Sequence, residues 1–144
     1  MTHEDRGHYA AKHEPGRRLP DALAEKIRSL CKNGELPCSM AFEIAESEGL
    51  PPLEIGAAAD LLEIPIVKCR LGLYGYKPEK KIVRPAQEVD PVLESALKES
   101  LVDGRLPCAA AWAAAEKFGI GKMDVSAACE TLGIKIRPCQ LGSF

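Results

Sequence analysis

Apolar positions along the chain follow two alternating rhythms. Leu23, Ile27, Leu30 and Cys31 recur at the spacing of one helical face, and Leu93, Leu97 and Leu101 do so again later. Each run opens on Pro20-Asp21 or Asp90-Pro91, where Pro suits a first helical turn and Asp can cap free N–H groups. Asn33-Gly34 and Asp103-Gly104 are the expected stops, since these residues tolerate left-handed backbone. Pro37 and Pro107 should open second helices running to about Glu48 and Phe118, ended by Gly49 and Gly119. Third helices are expected over 52–62 and 122–132. The rhythm then shortens to alternation in Ile64-Pro-Ile-Val-Lys-Cys and Ile134-Lys-Ile-Arg-Pro-Cys, which predicts a short half-buried strand after each third helix.

The two series are one pattern written twice. Residues 23–74 align with 93–144 at a constant offset of 70, without a gap and with 17 of 52 pairs identical. Gly-x-Leu-Pro-Cys recurs at 34–38 and 104–108, Ala-Glu-x-x-Gly at 45–49 and 115–119, and Cys-x-Leu-Gly at 69–72 and 139–142. The division expected is a flexible tail over 1–19, repeat one over 20–76, a basic, Pro-containing linker or wing over 77–90, and repeat two over 91–144. A lone core of about 50 residues is marginal, so the copies should share one.

Helices two and three of each copy carry a small residue, a Gly four positions on, and apolar residues on both sides. Copy one supplies Ile44, Ala45, Gly49, Leu50, Ile55 and Ala58; copy two supplies Ala114, Ala115, Gly119, Ile120, Val125 and Ala128. This pattern resembles the DNA-binding helix-turn-helix superfamily, and the trailing strand resembles its winged variants. The fold class expected is therefore mainly α with short β strands: two tandem winged-helix-turn-helix-like repeats packed as a pseudo-two-fold unit. The alternative is a helical hairpin repeat whose small residues only permit close packing. The resemblance implies a small non-enzymatic regulator that binds duplex DNA through its third helices.

Charge and side-chain chemistry weaken that implication. Residues 20–76 carry 5 basic and 9 acidic side chains and residues 93–144 carry 6 of each, so no helix forms the basic stripe that phosphate contacts favour. In the first third helix Glu54 and Asp60 would meet phosphates that repel them. The second offers Lys122, Ser126 and Thr131, opposed by Asp124 and Glu130. Candidate DNA contacts are thus Lys122 and Ser126, with Lys77, Lys80, Lys81 and Arg84 of the connector as a wing along the backbone or as a solvated linker. A protein-interaction module that kept the scaffold without binding DNA is the second reading, with self-association left open.

Four of the six cysteines obey the repeat: Cys38 with Cys108, and Cys69 with Cys139. Cys38 and Cys108 should lie at helix N-termini, where free N–H groups favour a thiolate. A two-fold arrangement would bring two or four sulfurs together, enough for zinc or an iron–sulfur cluster. Against this, the cysteines of each copy lie 31 residues apart, no Cys-x2-4-Cys pair is present, and free Cys packs well as a small apolar group. The expectation is therefore no cofactor, with these four thiols as the metal candidates. His3, His8 and His13 fall every fifth position in the tail and line no common helical face. No phosphate loop, nucleophile elbow or metal-binding His pair occurs, so no enzyme is expected. Trp112, aligned with Phe42, reads as core. No apolar run approaches a membrane span and the N-terminus lacks a signal-peptide core, so the expected location is cytoplasmic.

Overall fold

The computed structural model describes residues 19–77 and 80–143; the three histidines lie outside the described residues. Over the described residues the fold is mainly helical, with six helices and a short two-stranded parallel sheet. In chain order these are α1 (Asp21–Leu30), β1 (Leu36–Pro37), α2 (Cys38–Glu48), α3 (Pro52–Leu61), β2 (Ile66–Val67), α4 (Pro91–Glu99), α5 (Cys108–Phe118) and α6 (Lys122–Leu132). The helices of the two sequence repeats match at the offset of 70, most closely α2 with α5 and α3 with α6. Among the described residues no helix is long and apolar enough to cross a membrane.

The local chemistry behaves as expected at the sharp turns. Gly49 and Gly119 take left-handed backbone at φ 65° and 64°, and the N–H groups of Leu50 and Ile120 reach back to the carbonyls of Ala45 and Ala115 at 3.0 Å. This closure turns α2 into α3, and α5 into α6, within a few residues. Asp90 caps α4, accepting from the Val92 N–H at 2.8 Å. Its counterpart Asp21 lies inside the first turn of α1 and makes no side-chain cap.

Two expectations require correction. Asn33-Gly34 and Asp103-Gly104 do not end the first helices, which stop at Leu30 and Glu99. With φ of 53° and 74° in the first copy, and 51° and 77° in the second, each pair forms the tip of a tight hairpin. Lys32 and Glu35 bond each other's backbone across the first tip at 2.8 and 3.0 Å, and Val102 and Arg105 across the second at 2.7 and 3.0 Å. The strands after the third helices are also much shorter than the alternating Ile residues suggest. β2 pairs in parallel with β1, Leu36 opposite Ile66, and in copy two only the bridge Leu106–Ile136 forms. Each strand thus pairs with the segment entering helix two of its own copy, and not with the strand of the other copy.

Beyond these strands the chain crosses over. The core built from Ile27, Leu36, Ile44, Ile55 and Ile66 of copy one also contains Cys139 and Leu141. The core built from Leu97, Leu106, Val125 and Ile136 of copy two contains Cys69, Leu71 and Tyr74. The two Cys-x-Leu-Gly segments are therefore exchanged, each completing the apolar interior of the other copy. Phe42 and Trp112, at equivalent positions, meet with ring centroids 4.3 Å apart at a tilt of 36°. Trp112 packs against both cores and is only partly buried, because it lies where they touch.

Candidate functional site

In a helix-turn-helix reader the third helix must present a free polar face. In copy one, α3 is buried continuously from Ile55 to Asp60. The exchanged segment covers it closely: a Cβ placed on Gly56 would stand 2.6 Å from the carbonyl carbon of Leu141 and closer still to its oxygen. Only glycine leaves room for that backbone. Asp60, expected to face solvent, lies inside this buried stretch at 2% exposure. Glu54 remains exposed at the start of the helix.

The second third helix is covered from another side. Val125, Ser126, Ala128 and Cys129 of α6 are buried. The connector is tied to the same helix: the Ala86 N–H donates to the Ala127 carbonyl at 3.1 Å, and the Thr131 hydroxyl donates to the Ala86 carbonyl at 2.6 Å. Ile82 and Val83 donate to the Gly72 carbonyl at 2.9 and 3.1 Å. Residues 82–86 of the connector thus form a strap tied to α6 and to the Cys69–Gly72 turn.

Of the residues expected to contact DNA, Ser126 is corrected outright. It is fully buried at the position equivalent to Gly56, and its hydroxyl has no hydrogen-bond partner. A hydroxyl in that place cannot reach a base edge. Lys122 projects its ammonium over the Trp112 ring at 4.6 Å. Lys81 pairs with Glu130 at 2.5 Å, and Lys77 lies 3.8 Å from Glu35. Lys80 and Arg84 are exposed. Buried Ser126 cannot join a phosphate-binding stripe with the connector cations, of which Lys77 and Lys81 lie against carboxylates.

The repeated thiols are brought together. Cys38, Cys69, Cys108 and Cys139 are all buried, Cys38 with Cys139 in one core and Cys69 with Cys108 in the other. Cys38 and Cys108 open α2 and α5, as their spacing predicts. Cys69 and Cys139 begin the exchanged turns, in which Gly72 and Gly142 donate to the carbonyls of Cys69 and Cys139 at 2.9 and 3.0 Å. Those turns aim backbone N–H groups at sulfur. Arg70 donates to Cys38, and Leu73, Leu71 and Tyr74 to Cys69. Gln140 donates to Cys108 through both its side chain, at 3.4 Å, and its backbone, while Leu141 donates to Cys139 at 3.4 Å.

Thiolate favouring by the helix ends, expected from sequence, is overridden by burial. Desolvation pushes the Cys38 thiol from 9.0 up to about 12, and the Cys108 thiol up to about 11, against the lowering effect of the donated N–H bonds. The neighbouring thiols push in the same direction as burial, since each would be a like charge. Tyr74, buried beside them, is raised as well, first by desolvation and then by Cys139. Among the described residues no three or more His, Cys, Asp or Glu side chains are arranged to hold a single metal ion. Neither Cys31 nor Cys129 belongs to this group: burial raises both, and Cys129 feels only Glu130 besides.

The signal that would have located this cluster is Cys-x-Leu-Gly, a turn whose amides fold back on its own first sulfur. It is a different device from the Cys-x2-4-Cys pair. Comparison with family models, with curated proteins and with solved structures finds no match to this chain.

Proposed function

We infer that this chain is a non-enzymatic binding module on a duplicated helix-turn-helix scaffold, acting through a protein partner and not by reading duplex DNA. The observation that carries this reading is the covering of both third helices, α3 by the exchanged Leu141 segment and α6 by the connector strap. A recognition helix needs an open face lined with donors to enter the major groove. Here the corresponding faces are apolar and are spent on joining the two copies. The winged-helix-turn-helix reading of each unit, and a pseudo-two-fold relation between them, are supported by the matched glycine turns, the reciprocal exchange and the Phe42–Trp112 pair. Leu53, Val92 and Val102 are the large apolar side chains most open to solvent, at 58%, 65% and 59% exposure, and give a partner apolar ground to bind.

The regulator reading remains the competitor, and it makes a sharp prediction. Labelled mixed-sequence duplex DNA is titrated with the reduced protein and followed by fluorescence anisotropy at ~50 and ~200 mM salt, the range over which phosphate contacts lose most of their strength. The interaction-module reading expects no binding at the lower salt. Saturable binding that weakens steeply with salt, and that falls on neutralising Lys80 and Arg84, would overturn it in favour of DNA.

A further inference from the structure

We propose that Cys38, Cys69, Cys108 and Cys139 are the four ligands of one iron–sulfur cluster, held where the exchanged segments interlock the two copies. The exchange seats Cys139 with Cys38 in the core of copy one and Cys69 with Cys108 in the core of copy two, and Gln140, the neighbour of Cys139, reaches across to Cys108 Sγ at 3.4 Å. A mononuclear tetrahedral zinc site, with Zn–S near 2.3 Å, would hold its sulfurs roughly 3.8 Å apart. No such group is present among the described residues. An iron–sulfur cluster accepts a wider set, since its ligand sulfurs bind different irons at the corners of a larger body. Four buried thiols gathered at the exchange from two helix starts and two turns offer such a body one ligand per iron.

The surroundings fit the same occupant. Cys108 accepts from the Gln140 side-chain amide and Cys139 from the Leu141 N–H, each at 3.4 Å, and backbone N–H groups of Arg70 and of Leu71 and Leu73 favour the Cys38 and Cys69 thiolates. Cys38 and Cys108 add the positive ends of α2 and α5. Donors aimed at sulfur disperse the negative charge of a cluster and tune its potential. A small core-packing cysteine needs none of them. The two turns have matching surroundings: Met123 lies over the Cys69–Gly72 turn and Leu53 over the Cys139–Gly142 turn, each 3.0 Å from where a Cβ on the glycine would stand, so glycine lets both come close.

Ligation is a thiol exchange with no change in oxidation state. A preformed 4Fe–4S cluster carrying four small thiolates gives up each of them as the free thiol. Each cysteine Sγ–H bond breaks, its proton goes to the departing thiolate, and an Fe–Sγ bond forms. No oxidant or reductant enters the balance.

The test uses the full chain, reduced and kept free of oxygen, mixed with a preformed cluster carrying small thiolate ligands. After desalting, iron, sulfide and visible absorption are measured on the protein. The expected result is iron and sulfide in equal amounts at one cluster per chain, with visible absorption that Cys69→Ser, Cys139→Ser, Cys38→Ser or Cys108→Ser each reduces at least tenfold in stability to a competing chelator. Cys31→Ala and Cys129→Ala should leave it unchanged, and circular dichroism of each variant checks that the chain still folds. Retention of the cluster by the four ligand variants, or failure of the folded parent protein to take one up, would overturn the proposal. So would stoichiometric zinc bound in preference to the cluster through the same four thiols, which would assign a mononuclear site instead.

Discussion

Alanine at Gly56 should destabilise the protein, against the usual direction of that change. Replacing a mid-helix glycine with alanine ordinarily stabilises a helix by about 1 kcal/mol, because the unfolded chain loses freedom. Gly56 sits in the middle of α3. Its added methyl would stand 2.6 Å from the Leu141 carbonyl carbon and 3.1 Å from the Leu141 Cα, with the carbonyl oxygen nearer still. These are backbone atoms of a segment anchored by buried Cys139 and Leu141, so no rotamer change relieves the clash. Overpacking of this kind costs about 1–3 kcal/mol where side chains can yield, and more where backbone must move. With the propensity gain subtracted, the net expectation is a loss of about 2 kcal/mol or more. In a chain of this size that lowers the melting temperature by roughly 4–8 °C. Thermal and urea unfolding followed by circular dichroism measure it, with Gly133→Ala as a comparison whose added Cβ meets nothing within 4 Å. Because Gly133 has a φ of 69°, its own cost is backbone strain of about 1 kcal/mol. If Gly56→Ala matches or exceeds the parent in stability, the crossing of Leu141 over α3 is wrong.

Three further outcomes follow from the interior. Ser126→Ala removes a buried hydroxyl with no partner, so stability should hold or rise by up to about 1 kcal/mol in urea unfolding; a loss above that would mean the hydroxyl is satisfied. Trp112→Ala empties the contact between the copies and should cost about 3 kcal/mol, with α1–α3 and α4–α6 losing protection together in hydrogen exchange; loss confined to α4–α6 would contradict the shared interface. For the unliganded protein, burial raises the Cys38 and Cys108 thiols, so the unfolded chain gives up those protons at lower pH than the folded one. Their contribution to stability is complete below about pH 9 and is lost as pH climbs toward about 12 and about 11, respectively. Urea midpoints across pH 8 to 11 should fall in the parent and fall less in Cys38→Ala; an identical slope in both would refute the assignment.

The helices could be read from the sequence because their apolar periods are regular and their turns have strict backbone requirements. Gly49 and Gly119 adopt the left-handed turns that their place after a small-residue helix predicts. Asn33-Gly34 shows where such reading becomes ambiguous: positive φ serves a helix end and a hairpin tip equally, and only the pairing of Lys32 with Glu35 distinguishes them. Ser126 misleads for a related reason. A hydroxyl on a third helix reads as a base contact, whereas here it fills the place that glycine holds in the first copy. The exchange itself leaves no periodic trace. Leu71 and Leu141 are apolar whichever core they enter, and which one they enter depends on the direction the chain leaves β2 or Ile136. The gathering of the thiols, expected from the repeat through a two-fold arrangement, comes about through that exchange, which the spacing along the chain does not encode.

Each copy is completed by a segment from the other, and hydrogen exchange on Leu141→Ala probes that crossing. Leu141 is 1% exposed and belongs to the core of copy one. Truncating it should cost about 2–5 kcal/mol, and the amides that lose protection first should be those of α3, some eighty residues earlier in the sequence. Loss of protection that begins in α6 and leaves α3 at its parental level would contradict the account.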